Sequence, residues 1–269
     1  MVVLTGAEPF SADGSDAAML LCHGFTGSPQ GLRGWAQDLA AAGLTVRLPR
    51  LPGHGTTWQQ LARTTWSDWV ATVAAELAAL RERGCTVVVG GLSMGGALAL
   101  RLAADAPGDV AGLVLVNPAV HLRSPLLPLL PVLHRVLPTV GGVGSDIAAP
   151  GGVELAYDRV PLAALHSFRQ GYRALAHDLP RVHQPLVVLR SAVDHVVPAS
   201  SSAQVLSSVS STDVREEVLA RSLHVATLDH DAPRITAATL DLVQRLGLAG
   251  GPVGAAGSAG PAGSAEVPA

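Results

Sequence analysis

The chain has 269 residues, of which 48% are hydrophobic and only 14% are charged. This length and composition support a large buried core and exclude intrinsic disorder for most of the chain. The formal net charge of −3 provides no basic surface that would recruit nucleic acid or anionic lipid, so we expect a small, neutral partner.

Short apolar runs alternate with stretches of helical length over residues 1–118. This alternation is typical of parallel strands joined by crossover helices, so the fold class is predicted to be α/β. The apolar run at 85–89 is too uniform for a strand that exposes one face to water, which favours a central strand of the sheet. The strands predicted in this part are 19–22, 44–48, 85–89 and 110–116.

The connections between these strands carry the signals of helix ends. Ser28 is predicted to cap a helix that begins at Pro29 and ends at Gly43. A capping-box-like pattern at 65–68 predicts the start of a long helix, and an Ala- and Leu-rich helix is predicted to follow the serine at position 93.

The rhythm changes in the block 119–181, which offers no strand candidate and contains helical stretches interrupted by proline and glycine. This block is predicted to be an insertion between two strands. The alternation resumes with strands at 185–189 and 214–219, a helix around Val205 and a closing helix at 232–246.

The predicted organisation is a core of 1–118 and 182–246, the insertion at 119–181, and a flexible Gly/Ala/Pro-rich tail at 247–269. The first ten residues lack the charged and apolar regions of a signal peptide, which favours a cytoplasmic location. The most apolar stretch contains four prolines, a histidine and an arginine, so no integral membrane segment is expected. Cys22 and Cys85 are expected to be small core residues rather than a disulfide.

Residues 91–95 form a G-x-S-x-G pentapeptide between a predicted central strand and a predicted helix. A serine at such a sharp turn is held in a strained conformation, and flanking glycines let strand and helix pass closely. Ser93 is therefore the candidate nucleophile, held at the positive end of a helix where negative charge is favoured.

A serine hydroxyl needs a base to take its proton and an acid to orient that base, in the chain order serine, acid, histidine. His224 follows the last predicted strand, at the sheet edge that carries the serine, and is the candidate base. His230 is interpreted as a solvated or capping residue, His195 as too close to the acid to fold back onto it, and His54 as stabilising a loop rich in proline and glycine.

Asp194 follows the strand at 185–189 and is the candidate acid, which would hold the imidazole in the required tautomer. Asp213 begins a strand and Asp178 belongs to the insertion, so both are less well placed. The alternative is that Asp194 only forms a turn. Two N–H donors would stabilise the oxyanion, and the best candidates are the backbone amides of Met94 and Phe25.

These motifs resemble those of the bacterial carboxylesterase and monoacylglycerol lipase family of α/β hydrolases. The resemblance covers roughly 18–118 and 182–246, and it implies an α/β-hydrolase fold with a helical cap formed by the insertion. It also implies hydrolysis of short- to medium-chain acyl esters or monoacylglycerols through an acyl-enzyme, with no cofactor. We expect a monomer or a homodimer. The matching segments are LLCHGFTG at 20–27, PGHG at 52–55, WSDW at 66–69, GLSMGG at 91–96 and SLHVATLD at 222–229.

The insertion departs from this pattern because residues 126–137 are dense in leucine and proline where charge is expected. These leucines either line an acyl-binding channel or pack the cap onto the core. The candidates for the channel are Leu126, Leu127, Leu129, Leu130, Val132 and Leu133.

Two other functions remain open at this stage. The same triad would serve a thioesterase, an amidase or an acyltransferase, and a hydrolase scaffold can also be a ligand-binding protein without activity. A metal enzyme is less favoured, because no histidine and acidic residue show helical ligand spacing with a third ligand.

Overall fold

The structure is a computed structural model that describes residues 2–124, 127–142 and 144–248. Apolar runs form its central strands, because residues that are buried on both faces of a sheet need no polar alternation. The strands in the described ranges are β1 (Phe10–Ala12), β2 (Ala17–Cys22), β3 (Thr45–Leu48), β4 (Thr86–Leu92), β5 (Val110–Val116), β6 (Thr139–Gly141), β7 (Arg159–Pro161), β8 (Leu186–Ser191) and β9 (Val214–Leu219).

The main sheet has the strand order β1-β3-β2-β4-β5-β8-β9 within the described residues. Its neighbours pair in parallel, except that β1 runs antiparallel to β3. The predicted mostly parallel sheet is confirmed, with β4 at its centre. The short edge strand β1 was not predicted.

Helices cover both faces of this sheet. The side chains of β2 show the two faces directly, since Ala18, Leu20 and Cys22 pack into one hydrophobic cluster and Met19 and Leu21 into the other. The α-helices of the described residues are α1 (Arg33–Ala41), α2 (Trp58–Leu61), α3 (Trp66–Glu82), α4 (Met94–Asp105), α5 (Leu130–Val136), α6 (Leu162–Asp178), α7 (Ala199–Ser208) and α8 (Ala232–Arg245).

Each hydrophobic cluster contains residues of a different set of helices. The cluster on one face includes residues of α1 and α8, and the cluster on the other face includes residues of α3, α4, α6 and α7. Cys22 and Cys85 are both buried and free, as expected. No helix of the described residues is long and apolar enough to cross a membrane.

The two predicted helix starts had different outcomes. At α3 the capping box is present, since the Thr65 side chain accepts from the Asp68 N–H and the Asp68 carboxylate accepts from the Thr65 N–H. Ser28 occupies the N-cap position and Pro29 begins the helical segment, as predicted, but the first turn is a 3-10 turn in which the Gly31 N–H donates to the Ser28 carbonyl oxygen. The Ser28 hydroxyl makes no capping hydrogen bond.

The chain between β5 and β8 contains α5, α6 and a small antiparallel sheet of β6 and β7. The expectation that 119–181 holds no strand was therefore wrong, because two strands of three residues that include glycine and proline are too short to give a periodic signal. The boundaries of the insertion stay a prediction. The tail predicted to be flexible is described only as far as residue 248, and the remainder lies outside the described residues.

Candidate active site

Ser93 lies at the junction of β4 and α4, with a backbone φ of 58° and ψ of −118°. A non-glycine residue with positive φ is uncommon, and such strain is often found at functional sites. The Ser93 N–H donates to the carbonyl oxygen of Val116, and the Ser93 carbonyl accepts from the first turn of α4. These bonds hold the strained residue between strand and helix.

The glycines around Ser93 are required by close backbone contacts. A Cβ atom at Gly91 would lie 2.2 Å from the carbonyl carbon of Gly95. A Cβ atom at Gly95 would lie 1.8 Å from the carbonyl oxygen of Cys22, which is in β2. The first contact is the close passage of strand and helix that the motif predicts, and the second joins α4 to a neighbouring strand.

Asp194 and His224 follow β8 and β9 and lie in direct contact. The Oδ2 atom of Asp194 is 2.7 Å from Nδ1 of His224, and both side chains are 8% exposed. The other carboxylate oxygen accepts from the N–H groups of Val196 and Val197, which fixes the carboxylate. An ionised carboxylate only accepts, so Nδ1 donates and Nε2 of the neutral ring is left as the basic atom.

Ser93 and His224 both line a cavity of about 400 Å³. Phe25 lines it too, and a Cβ atom at Gly24 would lie 3.6 Å from Cβ of Ser93, so the turn after β2 packs against the serine. Asp194 lies behind His224, beside a smaller cavity of about 90 Å³. The structure thus places the three predicted residues in one site.

The two amides predicted to bind an oxyanion lie next to Ser93. Met94 is the first residue of α4, where N–H groups have no partner within the helix. Neither the Phe25 N–H nor the Met94 N–H donates to an acceptor in the described part of the chain. Phe25 lines the cavity, whereas Met94 is buried directly after Ser93 and is not among the lining residues.

The competing acids and histidines are engaged elsewhere or exposed. Asp178 forms an ion pair with Arg101, and Asp213 forms one with Arg245. His230 is exposed. The 400 Å³ cavity is lined by neither of these ion pairs and not by His230.

His23 and His54 are buried beside the site and support its loops. The ring of His23 bonds to the carbonyl oxygen of Gly24 through Nδ1 and accepts from the Leu51 N–H at Nε2. His54 bonds to the carbonyl oxygen of Pro52, in accord with the predicted loop role. Burial lowers the pKa of His23 to about 4 and that of His54 well below its usual value.

Three of the predicted leucines, Leu127, Leu130 and Leu133, line the cavity. Leu129 and Val132 do not, since they are 58% and 64% exposed. Leu126 lies outside the described residues.

Further apolar lining comes from α6 and was missed by the sequence reasoning. The lining residues of α6 are spaced three apart, and this spacing places side chains on one face of a helix. They are Leu162, Leu165 and Phe168.

Three polar residues of the cavity were also missed as site residues: Asp146, Glu154 and His195. Burial raises the pKa of Glu154. The His195 side chain is 61% exposed and its Nδ1 lies 2.8 Å from Oδ1 of Asp146. Only His195 had a local signal, its position next to the candidate acid.

Comparison with known proteins places this chain in a family. The sequence model described as serine aminopeptidase, S33, matches residues 13–231. The chain is 41% identical over 240 residues to a thermostable monoacylglycerol lipase of Bacillus sp. strain H-257, covering 89% of this chain and 95% of the relative. It is 25% identical over 240 residues to a carboxylesterase of Bacillus subtilis strain 168, covering 89% of this chain and 97% of the relative.

A solved structure from work on LipS and LipT, two metagenome-derived lipolytic enzymes, superposes with a TM-score of 0.88. It is 40% identical to this chain, with 91% of this chain and all of that chain covered. A monoacylglycerol lipase of Paleococcus ferrophilus has a TM-score of 0.75 at 18% identity, covering 91% of this chain and 99% of that one. The latter likeness shows the fold.

Proposed function

Since this chain belongs to the S33 serine aminopeptidase family and hydrolyses carboxylic esters, we propose that it cleaves monoacylglycerols and similar short- to medium-chain esters through an acyl-enzyme. Within the α/β hydrolases, its relatives are carboxylesterases and monoacylglycerol lipases. The observation that carries this proposal is the strained Ser93 and the paired His224 on one largely apolar cavity.

In the proposed first half-reaction, the Ser93 Oγ atom attacks the ester carbonyl carbon while Nε2 of His224 takes the hydroxyl proton. The amides of Phe25 and Met94 donate to the oxyanion, and Asp194 stabilises the imidazolium. The C–O bond to the alcohol then breaks, and His224 gives its proton to the departing oxygen. Water repeats the sequence on the acyl-enzyme, which releases the carboxylic acid and restores the serine.

The acyl chain is proposed to occupy the side of the cavity formed by the insertion, where Leu127, Leu130 and Leu133 meet Leu162 and Leu165. A pocket of this size with aliphatic walls suits a small apolar ligand. Residues 119–181 would thus act as a cap over the core, and the space they leave would set the accepted chain length.

The alcohol is proposed to lie toward the polar residues of the cavity. Glu154 lines the cavity and is partly buried, and burial raises the pKa of its carboxyl group. A carboxyl group can accept hydrogen bonds from the hydroxyl groups of a glycerol in either protonation state. The relative at 41% identity is a monoacylglycerol lipase, which agrees with such an alcohol.

Peptide-bond cleavage is the alternative raised by the description of the family model. An aminopeptidase must bind a substrate ammonium group, for which an ionised carboxylate is a suitable partner. Of the two carboxyl groups among the described lining residues, Asp146 is already bonded to His195, and the burial of Glu154 raises its pKa and so opposes its charged form. The lining therefore favours a neutral ester over a charged amine.

The test is a set of initial rates on p-nitrophenyl esters from acetate to palmitate, on monoacylglycerols, on an acyl thioester and on an aminoacyl amide. We expect hydrolysis of esters with an optimum at one chain length, and a loss of about 10⁴-fold or more in kcat for Ser93→Ala. The matched control is Ser207→Ala, an exposed serine in α7 outside the cavity lining, which should keep wild-type rates. Preferential turnover of the amide or thioester would overturn the ester assignment.

A further inference from the structure

Asp146 comes from the chain between β5 and β8 and reaches the loops that carry Asp194 and His224. Its Oδ2 atom accepts from the backbone N–H of His224 at 3.1 Å and from that of His195 at 3.2 Å. Its Oδ1 atom lies 2.8 Å from Nδ1 of His195, and its side chain is only 9% exposed. One carboxylate therefore joins the backbone of the candidate base to the residue that follows the candidate acid.

The backbone around Asp146 is tied to the same loop a second time. The Asp146 carbonyl oxygen accepts from the Val225 N–H at 3.0 Å. In the opposite direction, Asp229 accepts from the N–H groups of Ala148 and Ala149, and also from that of Leu223. Because Asp229 holds the segment 146–149 in place independently, removal of the Asp146 carboxylate should leave the local backbone folded.

The charges around Asp146 match this arrangement. Burial alone would raise its pKa, but hydrogen bonds from His195 and from the two backbone N–H groups hold that pKa below its usual value. The same contact raises the pKa of His195, mainly through its hydrogen bond to Asp146. Asp146 is thus ionised at neutral pH and able to accept all of these bonds.

We propose that Asp146 is a positioning residue, which fixes the backbone of His224 while Asp194 fixes its ring. The inference rests on the proposed function, since it assumes that His224 is the base. Two carboxylates, one from the core and one from the insertion, then hold the ring and the backbone of His224. The insertion would contribute to the catalytic arrangement as well as to the cavity wall.

Loss of the carboxylate should act on the chemical step more than on substrate binding. Without its acceptor, the His224 N–H would be left in a largely buried place, and the residue would shift to find another partner. Small displacements of a catalytic group can cost about 10²-fold in rate. The apolar residues that line the cavity are unchanged, so KM should change little.

The experiment compares Asp146→Ala and Asp146→Asn with the wild type on the best p-nitrophenyl ester, measuring kcat, KM and the melting temperature. Asparagine keeps one oxygen that can accept from the His224 N–H, but it loses the charge and replaces the second acceptor oxygen by a donor NH2 group, whereas alanine loses both oxygens. The matched control is Asp158→Asn, because Asp158 is exposed, lies between the same strands and makes no side-chain hydrogen bond in the described residues.

We expect kcat to fall by about 10- to 100-fold for Asp146→Ala and by less for Asp146→Asn, with KM within about threefold of wild type. The control should be unchanged. The proposal is overturned if Asp146→Ala keeps wild-type kcat, or if both variants lose kcat only in proportion to a loss of folded protein. An inactive wild type, or an active Ser93→Ala, would instead overturn the proposed function.

Discussion

At the scale of single residues, His23 shows how the site depends on a neutral side chain. One ring nitrogen donates to the carbonyl oxygen of Gly24 and the other accepts from the Leu51 N–H, so the ring uses both nitrogens in its neutral form. A second proton would replace the acceptor by a donor that faces the Leu51 N–H. Since burial also opposes the charge, the folded protein resists protonation of this residue.

This resistance predicts a loss of stability in mild acid. The unfolded chain takes up the proton near the usual histidine pKa of 6.5, whereas folded His23 does so near 4. The stabilisation that comes from neutral His23 is therefore fully present above pH 6.5. It is lost as the pH drops toward 4, because the unfolded state binds more protons in that window. The contribution of His23 to this fall is on the order of 3 kcal/mol.

The measurement is the free energy of unfolding from urea titrations at several pH values between 7.5 and 4.5. The pH dependence should be weaker for His23→Gln than for the wild type, and unchanged for the exposed control His230→Gln. His54 also has a lowered pKa and is present in both proteins, so part of the pH dependence should remain in His23→Gln. Asp146 and Asp229 have lowered pKa values, so their own loss of stabilisation falls below this window. Equal pH dependence in wild type and His23→Gln would show that the prediction is wrong.

The candidate nucleophile, base and acid could be predicted from the sequence because each follows a recognisable strand. Asp146 could not be predicted in the same way. It lies 78 residues before His224 in the chain, and their contact depends on how a long connection folds back over the sheet. Glu154 gave no signal for the same reason, since its place in the cavity depends on packing between distant segments.

At the scale of elements, the position of α4 against the sheet depends on Gly95. The Cβ atom of any other residue would overlap the backbone of β2, which has no flexible end that could move aside. Both elements are fully buried at this contact, so the strand and the helix would have to separate.

We predict that Gly95→Ala lowers the free energy of unfolding by at least about 1–3 kcal/mol, the usual cost of overpacking a core. For a domain of this size, this is a fall of several degrees in melting temperature. Gly108→Ala is the matched control, because a Cβ atom there would meet nothing within 4 Å. A Gly95→Ala variant with the melting temperature of the wild type would contradict the close contact.

The long elements were predictable from local sequence and the short ones were not. The strands β5 and β9 are bounded as predicted. β5 is a buried apolar run that ends at clear turn signals, whereas β9 is a partly exposed strand at the edge of the sheet. The strands β1, β6 and β7 have three residues each, which is less than two periods of any alternation. Their pairing is decided by long-range contacts, which a local pattern does not contain.

At the scale of the whole molecule, the parallel sheet assembles the site. Phe25, Ser93, Asp194 and His224 all follow the carboxyl ends of strands, and parallel strands present those ends at one edge of the sheet. The chain order of the site could therefore be predicted without knowing any side-chain contact. The leucines of the insertion that line the cavity could not be told from those that face solvent, because both belong to one short helical stretch.

The central claim is that Ser93 carries the acyl group, and covalent labelling tests it most directly. The protein would be treated with a fluorophosphonate, digested with trypsin, and the peptide spanning 84–101 examined by tandem mass spectrometry. We predict one adduct, on Ser93, that appears in step with the loss of ester hydrolysis, and labelling at least about 10³-fold slower in His224→Ala. An adduct on another residue, or full ester hydrolysis by protein that is labelled at Ser93, would contradict the account.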